Sequence, residues 1–327
     1  MSIDYIFQGW LGHDTDSANG KMVWGEYELK PFEPTDIDLK VTHCGVCGSD
    51  MHHLRSGWRP ADYPLCVGHD DRVGVGAQSG ACLNQDGDCK ACAEGIEQYR
   101  PRHTITYDAR FPDRSKANGG YADFWRGPGA FVFHIPDTIP SDATASMLCG
   151  GITAFSPLLE HGAGPGKRIG VIGIGGLGHF GIMAAKALGC DEVVAISRSS
   201  SKKKDAFKLG ATKFIATNED KHWATVNACS LDLILSTIFS ANIPIDGYLG
   251  LLDLRGHLVQ LGAPEDKTPP FSRSRSQIRY MLDFFAEKNI RPWAVNVPMA
   301  DANKVIVDFE KGEARYRYVL VNEQHVS

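Results

Sequence analysis

From Lys167 onward, short apolar runs alternate with stretches of helical periodicity. Arg168 to Ile172, Glu192 to Ser197, Phe214 to Thr217, Leu231 to Thr237 and His257 to Gly262 are runs of the length and β-branched content of buried parallel strands. Gly178 to Leu188 lies between the first two with helical spacing. The alternation predicts a βαβ domain with five parallel strands, one short of a complete dinucleotide fold. Before about Gly151 the chain is rich in Gly, Pro, Asp and Cys. Its short alternating segments, such as Ile37 to Thr42 and Ala130 to Ile135, predict an irregular and mostly β domain. Beyond Gly262 the pattern predicts a helix from Ile278 to Lys288, another from Ala302 to Lys311, and an extended Arg317 to Val321. The tail has no partner of its own, so it is expected to return to the first domain. The expected organisation is 1–151, 152–291 and a C-terminal segment 292–327, with no internal repeat.

Composition narrows the function classes. The chain has 327 residues, 43% hydrophobic and 22% charged, with a formal net charge of −5, which is ordinary for a globular protein. A mildly acidic chain without a basic stripe is a poor partner for nucleic acid or an anionic membrane. No apolar stretch reaches the length of a membrane helix, and Met1 to Trp10 has no basic flank of a signal peptide, so the cytosol is the expected compartment. Nine cysteines, five of them between Cys44 and Cys89, do not form a fully paired disulfide framework. In a reducing compartment such clustering points to metal.

The first parallel strand runs into Gly173-Ile-Gly175-Gly176-Leu177-Gly178 and then a helix. Glycines there permit a tight turn and bring backbone N–H groups close to a pyrophosphate. The second strand ends in Ser197-Arg198-Ser199-Ser-Ser-Lys202, where an NAD site would offer an acid to the ribose hydroxyls. Hydroxyls with Arg198 and Lys202 suit a 2′-phosphate instead, which favours NADP(H). Lys202, Lys203 and Lys204 also fit a solvated helix face, which at least one of them is expected to be.

Two cysteine clusters carry candidate metal chemistry. His43-Cys44-Gly-Val-Cys47-Gly-Ser49-Asp50-Met-His52, Gly68-His69 and the distant Cys149 together offer two thiolates and an imidazole, a donor set for zinc with an open position. Spacing alone would sooner make Cys149 a small core residue. Cys82, Cys89 and Cys92 form the second cluster, with Asp86, Asp88 or His103 as candidates for its fourth ligand.

With Asp71-Arg-Val-Gly-Val-Gly-Ala-Gln78, Asn118-Gly-Gly-Tyr-Ala122, Leu261-Gly-Ala-Pro-Glu-Asp266 and Ala314-Arg-Tyr-Arg-Tyr-Val319, these motifs run over nearly the whole chain. Together they resemble the zinc-dependent medium-chain alcohol dehydrogenases, in particular the NADP-dependent cinnamyl alcohol dehydrogenase branch of fungal type. The resemblance implies an α/β protein with a GroES-like β catalytic domain and a Rossmann doubly wound parallel-sheet domain, each shortened. It implies interconversion of small-molecule aldehydes and primary alcohols with NADP(H) and catalytic zinc. Cys47, His69 and Cys149 would be the ligands, with Asp50 orienting the imidazole. Ser49 would pass the alcohol proton through a ribose hydroxyl to His52, and Thr153 would join the cofactor-binding residues.

Three departures stand out. The strand pair that follows Gly-His-Glu in the family, roughly twenty residues at typical strand lengths, is missing. Asp70 therefore either replaces the metal-site Glu or marks its loss. A second gap falls near Phe271 to Gln277, at the strand edge used for dimers, so a homodimer is allowed but its interface strand is missing. Arg100 stands where the second site has its fourth cysteine. The gaps leave an alternative, a silent relative that retains only NADP binding. A zinc-free quinone or enoyl reductase on the same fold would require Cys47, His69 and Cys149 to be idle.

Overall fold

In the computed structural model of the chain, which describes residues 6–69, 73–85, 87–99, 103–238, 243–263 and 274–326, the apolar runs after Arg168 form one parallel sheet. Its spatial order is Lys213–Ala216, Glu192–Ser197, Arg168–Ile172, Leu231–Ser236 and Leu252–Gln260. The central strands read as continuous apolar runs because both faces are covered: Val171, Val193, Ala195, Ile196, Ile234 and Leu235 have no exposed surface. The order reverses direction between Arg168–Ile172 and Leu231–Ser236, and the crevice at the carboxyl ends of such neighbours is where open α/β sheets take ligands. The helix Gly178–Ala187 buries Phe180, Ile182, Ala184 and Ala185 completely.

The fifth strand departs from the sequence reading, beginning at Leu252 instead of His257. Asp253, Arg255 and Gly256 interrupt its apolar pattern, and the pairing jumps from Leu231↔Leu252 to Leu233↔His257 across a bulge with Arg255 at φ +63°. Arg168 holds the bulge, reaching Asp253 at 2.6 Å and Asp232 at 3.1 Å.

Contacts divide the chain into two units, Met1–Cys149 with Phe271–Ala286 and Arg291–Ser327, and Gly150–Pro270 with Glu287–Ile290. The first is built from small pairings, antiparallel except for the parallel pair Ala294–Pro298 with Arg317–Val321. Gln8–Gly12 lies between Val23–Glu26 and Leu65–Cys66, and Asp36–Lys40 pairs with Phe124–Pro128. The extended part of Ala130 to Ile135 is Val132–His134, after a 3₁₀ turn over Gly129–Phe131. The tail strand Arg317–Val321 lies beside Ala294–Pro298 and pairs with His43–Gly45, the strand that leads into Cys47. The helix Arg275–Glu287 buries Ile278, Met281, Leu282 and Phe285, an i, i+3, i+4, i+7 stripe. All but its last residue group with this unit, where Arg275 pairs with the buried Glu97 at 3.0 Å. Asp70, Asp86, Arg100 and the junction of the second gap at 271–273 lie outside the described residues. Among the described residues no helix is long and apolar enough to cross a membrane.

Candidate metal centre and cofactor loop

Cys47 caps the N-terminus of the helix Gly48–Leu54, directly after the strand His43–Gly45. His69 follows Gly68 and bridges back to Gly45. Cys149 sits in a π-helical turn, Met147–Gly151, a distortion that often marks functional positions. These elements bring Cys47, His69 and Cys149 together, with their ligand atoms within 4.8 Å of one another. The two sulfurs are 3.4 Å apart and not bonded. Two thiolates on one tetrahedral zinc stand about 3.8 Å apart, so a small adjustment admits the ion. The hydrogen bond from Cys149 holds the Cys47 thiol well below its ordinary range against the cost of burial, with help from the Arg317 charge and from His69. A thiolate is the metal-binding form. The donor set, two sulfurs and an imidazole with no fourth protein donor among the described residues, matches catalytic rather than structural zinc.

Asp50 has no exposed surface, and its carboxylate stands 3.7 Å from His69 Nδ1. It accepts hydrogen bonds from the Cys47 amide at 2.8 Å and from the Tyr121 hydroxyl at 3.2 Å. Burial raises the Asp50 carboxyl above its ordinary value, and the His69 charge opposes that. Burial and the nearby Asp50 charge push the Tyr107 and Tyr121 hydroxyls well above 10, which keeps both as donors. Sequence reading missed Tyr107. Tyr121 and Arg317 lay inside the motifs Asn118 to Ala122 and Ala314 to Val319, but nothing local to either signals a contact with Asp50 or Cys47.

Ser49 and His52 are three residues apart on the helix Gly48–Leu54 and so share a face. Ser49 lies close enough to Tyr107 to oppose the rise of its hydroxyl. The His52 ring is buried and stacks on Trp58, centroids 4.5 Å apart at 27°.

In the second cluster Cys82, Cys89 and Cys92 also lie within 4.8 Å of one another, with Cys82 and Cys92 sulfurs 3.5 Å apart. Burial, with hydrogen bonds among the thiols, pushes Cys92 up to about 11. Of the proposed fourth ligands, neither Asp88 nor His103 joins the group.

The glycine loop lies wholly in the second unit. Gly173 has φ +86°, a conformation costly to other residues. A side chain at Gly178 would meet the Gly173 carbonyl at 1.8 Å, whereas one at Gly175 would enter open space. That open cradle at a helix start is what a pyrophosphate requires. Thr237 Oγ1 bonds the carbonyls of Ile172 at 2.8 Å and Gly173 at 3.0 Å, fixing the turn. Gly176 and Leu177 complete it. Ser197 ends its strand, Arg198 is exposed beyond it, and Ser199 Oγ lies 3.1 Å from Ser201 Oγ. Lys202 donates to the Ile174 carbonyl at 2.7 Å, so this lysine also braces the glycine loop. Thr153 is in the first turn of the helix Ile152–Glu160.

Comparison with known proteins gives a consistent result. Residues 33–137 match the alcohol dehydrogenase GroES-like domain and residues 176–294 the zinc-binding dehydrogenase family. The NADP-dependent alcohol dehydrogenase 6 of Saccharomyces cerevisiae is 35% identical over 90% of this chain and 91% of its own. A cinnamyl alcohol dehydrogenase from Sorghum bicolor superposes with a TM-score of 0.88 at 29% identity, covering 97% of this chain and 98% of its own. The CAD from Helicobacter pylori, complexed with NADP(H), gives 0.87 at 26% identity over 98% and 99%.

Proposed function

The chain belongs to the zinc-binding alcohol dehydrogenases of the cinnamyl alcohol dehydrogenase type, and from that premise we propose that it interconverts aldehydes and primary alcohols with NADP(H) through the residues assembled above. The observation that carries this reading is the convergence of Cys47, His69 and Cys149 within 4.8 Å. Zinc bound there would supply Lewis acidity toward the substrate oxygen, and NADP(H) the hydride or its acceptor. Residues 1–151 then carry the metal chemistry, the sheet within 152–291 the cofactor, and 292–327 complete the first domain.

Asp50 orients His69 and is itself held by the Cys47 amide and the Tyr121 hydroxyl. Ser49 accepts the proton of the alcohol and hands it toward His52, whose ring is fixed against Trp58. Gly173, Gly175, Gly176, Leu177 and Gly178 bind the pyrophosphate, with Thr153 nearby in the chain's next element upstream. Ser197, Arg198, Ser199 and Lys202 take the 2′-phosphate. Cys82, Cys89 and Cys92 hold a second, weaker zinc. Nine free thiols suit a reducing compartment such as the cytosol.

Purified, zinc-loaded protein should oxidise NADPH on addition of an aromatic or allylic aldehyde, and Cys47→Ala should lose at least ~100-fold in kcat together with one zinc per chain. Equal turnover in Cys47→Ala would refute the reading. A silent relative would bind NADPH without turnover, and the intact donor set disfavours it.

A further inference from the structure

The loop proposed to read the adenosine ribose meets an acid that lies outside its own sequence. Ser197 ends the second parallel strand, where NAD-preferring sites carry a carboxylate. The turn that follows the next strand, Lys213–Ala216, supplies one from the side. Glu219 Oε1 accepts the Ser200 amide at 2.7 Å, in the middle of Ser197 to Lys202. The two loops are stitched by backbone bonds, Thr217 N–H to the Ser197 carbonyl at 2.9 Å and Asn218 N–H to the Arg198 carbonyl at 3.0 Å. Glu219 therefore cannot leave with its loop; only its side chain can rotate away. Asp220 follows it in the same turn, and cations stand close by. Lys202 is engaged with the Ile174 carbonyl, and Arg198 is near enough to the Tyr248 hydroxyl to interact with it.

We propose that Glu219 tempers this chain's preference for NADP(H) by placing a carboxylate on the Ser200 amide, beside the residues that would take the 2′-phosphate. The inference rests on the NADP(H) reading above and deepens it. A phosphate carried by Ser197, Arg198 and Ser199 lies beside a carboxylate of the same sign, so its binding must displace the Glu219 side chain or endure the repulsion. NADH carries no charge at that position. Glu219 thus weakens NADPH selectively and narrows the preference that Arg198 and Lys202 create.

Direct titration of the full-length chain with NADPH and with NADH, followed by tryptophan fluorescence, tests this in the wild type, Glu219→Gln and Glu219→Ala. The glutamine variant keeps an acceptor for the Ser200 amide and removes only the charge. Removing a like charge close to a bound dianion in ordinary salt is worth roughly three- to tenfold in affinity. NADPH should tighten by that factor in both variants, NADH by less, and the gain should shrink when salt is raised from ~0.05 to ~0.5 M. Unchanged or weaker NADPH binding in Glu219→Gln overturns the proposal, as does equal tightening of both nucleotides. Loss of both nucleotides in Glu219→Ala, with Glu219→Gln like the wild type, would make Glu219 merely structural. A wild type that fails to bind NADPH overturns the cofactor reading itself, and that outcome is distinct from the others.

Discussion

On the helix that carries Ser49 and His52, His53 is buried against a carboxylate. His53 Nδ1 lies 2.7 Å from Asp108 Oδ2, and the Asp62 amide donates to the other carboxylate oxygen at 2.9 Å. Burial raises the Asp108 carboxyl, but those hydrogen bonds and the His53 and Arg59 charges outweigh it and leave the group below its ordinary value. A depressed carboxyl stabilises the fold fully above its unfolded pKa, near ~3.9, and that contribution fades as pH falls through the lower folded value. Asp108→Asn should cost about 1–2 kcal/mol at neutral pH, and the gap to wild type should close below about pH 4. Urea unfolding at a series of pH values measures this; a gap that is constant with pH would contradict it. Asn is a fair probe because Asp108 has φ +51°, a region Asn tolerates. At this scale the sequence was legible only where neighbours in the chain are neighbours in space. Cys47, Ser49, Asp50 and His52 belong to one short run, whereas Tyr107 and Asp108 reach the same helix from more than fifty positions away and carry no local pattern.

Elements were legible wherever burial was uniform. The strands Arg168–Ile172 and Glu192–Ser197 begin and end where the apolar runs do. Leu252–Gln260 was half hidden, because a bulge pinned by Arg168 lets polar residues into a strand. Gly68 is a single position on which an element's path depends. It has φ +100°, and a Cβ there would stand 2.3 Å from Tyr121 Cδ1 and 2.7 Å from Cys44 Sγ. Both neighbours are themselves fully buried. Gly68→Ala should therefore destabilise the first unit by about 2–4 kcal/mol and move His69 with it. Denaturation midpoint and zinc content should fall together. A variant of unchanged stability and full zinc would show that the turn can relax.

At the scale of the whole molecule, the class of fold was legible in the alternation of apolar runs and helices, and the family in motifs spread from His43 to Val319. The grouping of Phe271–Ala286 with the first unit was not, since an ion pair between Arg275 and Glu97 joins positions 178 residues apart. Nor could spacing bring Cys149 to Cys47.

That distance along the chain would make the proposed metal centre a cross-link as well as a reagent. Cys47, His69 and Cys149 are successively 22 and 80 residues apart, so an ion gripping all three closes two loops that the unfolded chain would leave open. Closing long loops costs the disordered chain entropy, and an ion that prefers the folded arrangement adds its binding free energy to folding. With free zinc at about 1,000 times its Kd that linkage is worth ~4 kcal/mol. Stripping zinc with a strong chelator should lower Tm by roughly 5–15 °C, with zinc but not magnesium restoring it. Equal melting of the two forms would mean that the folded chain grips no zinc in preference to the unfolded one.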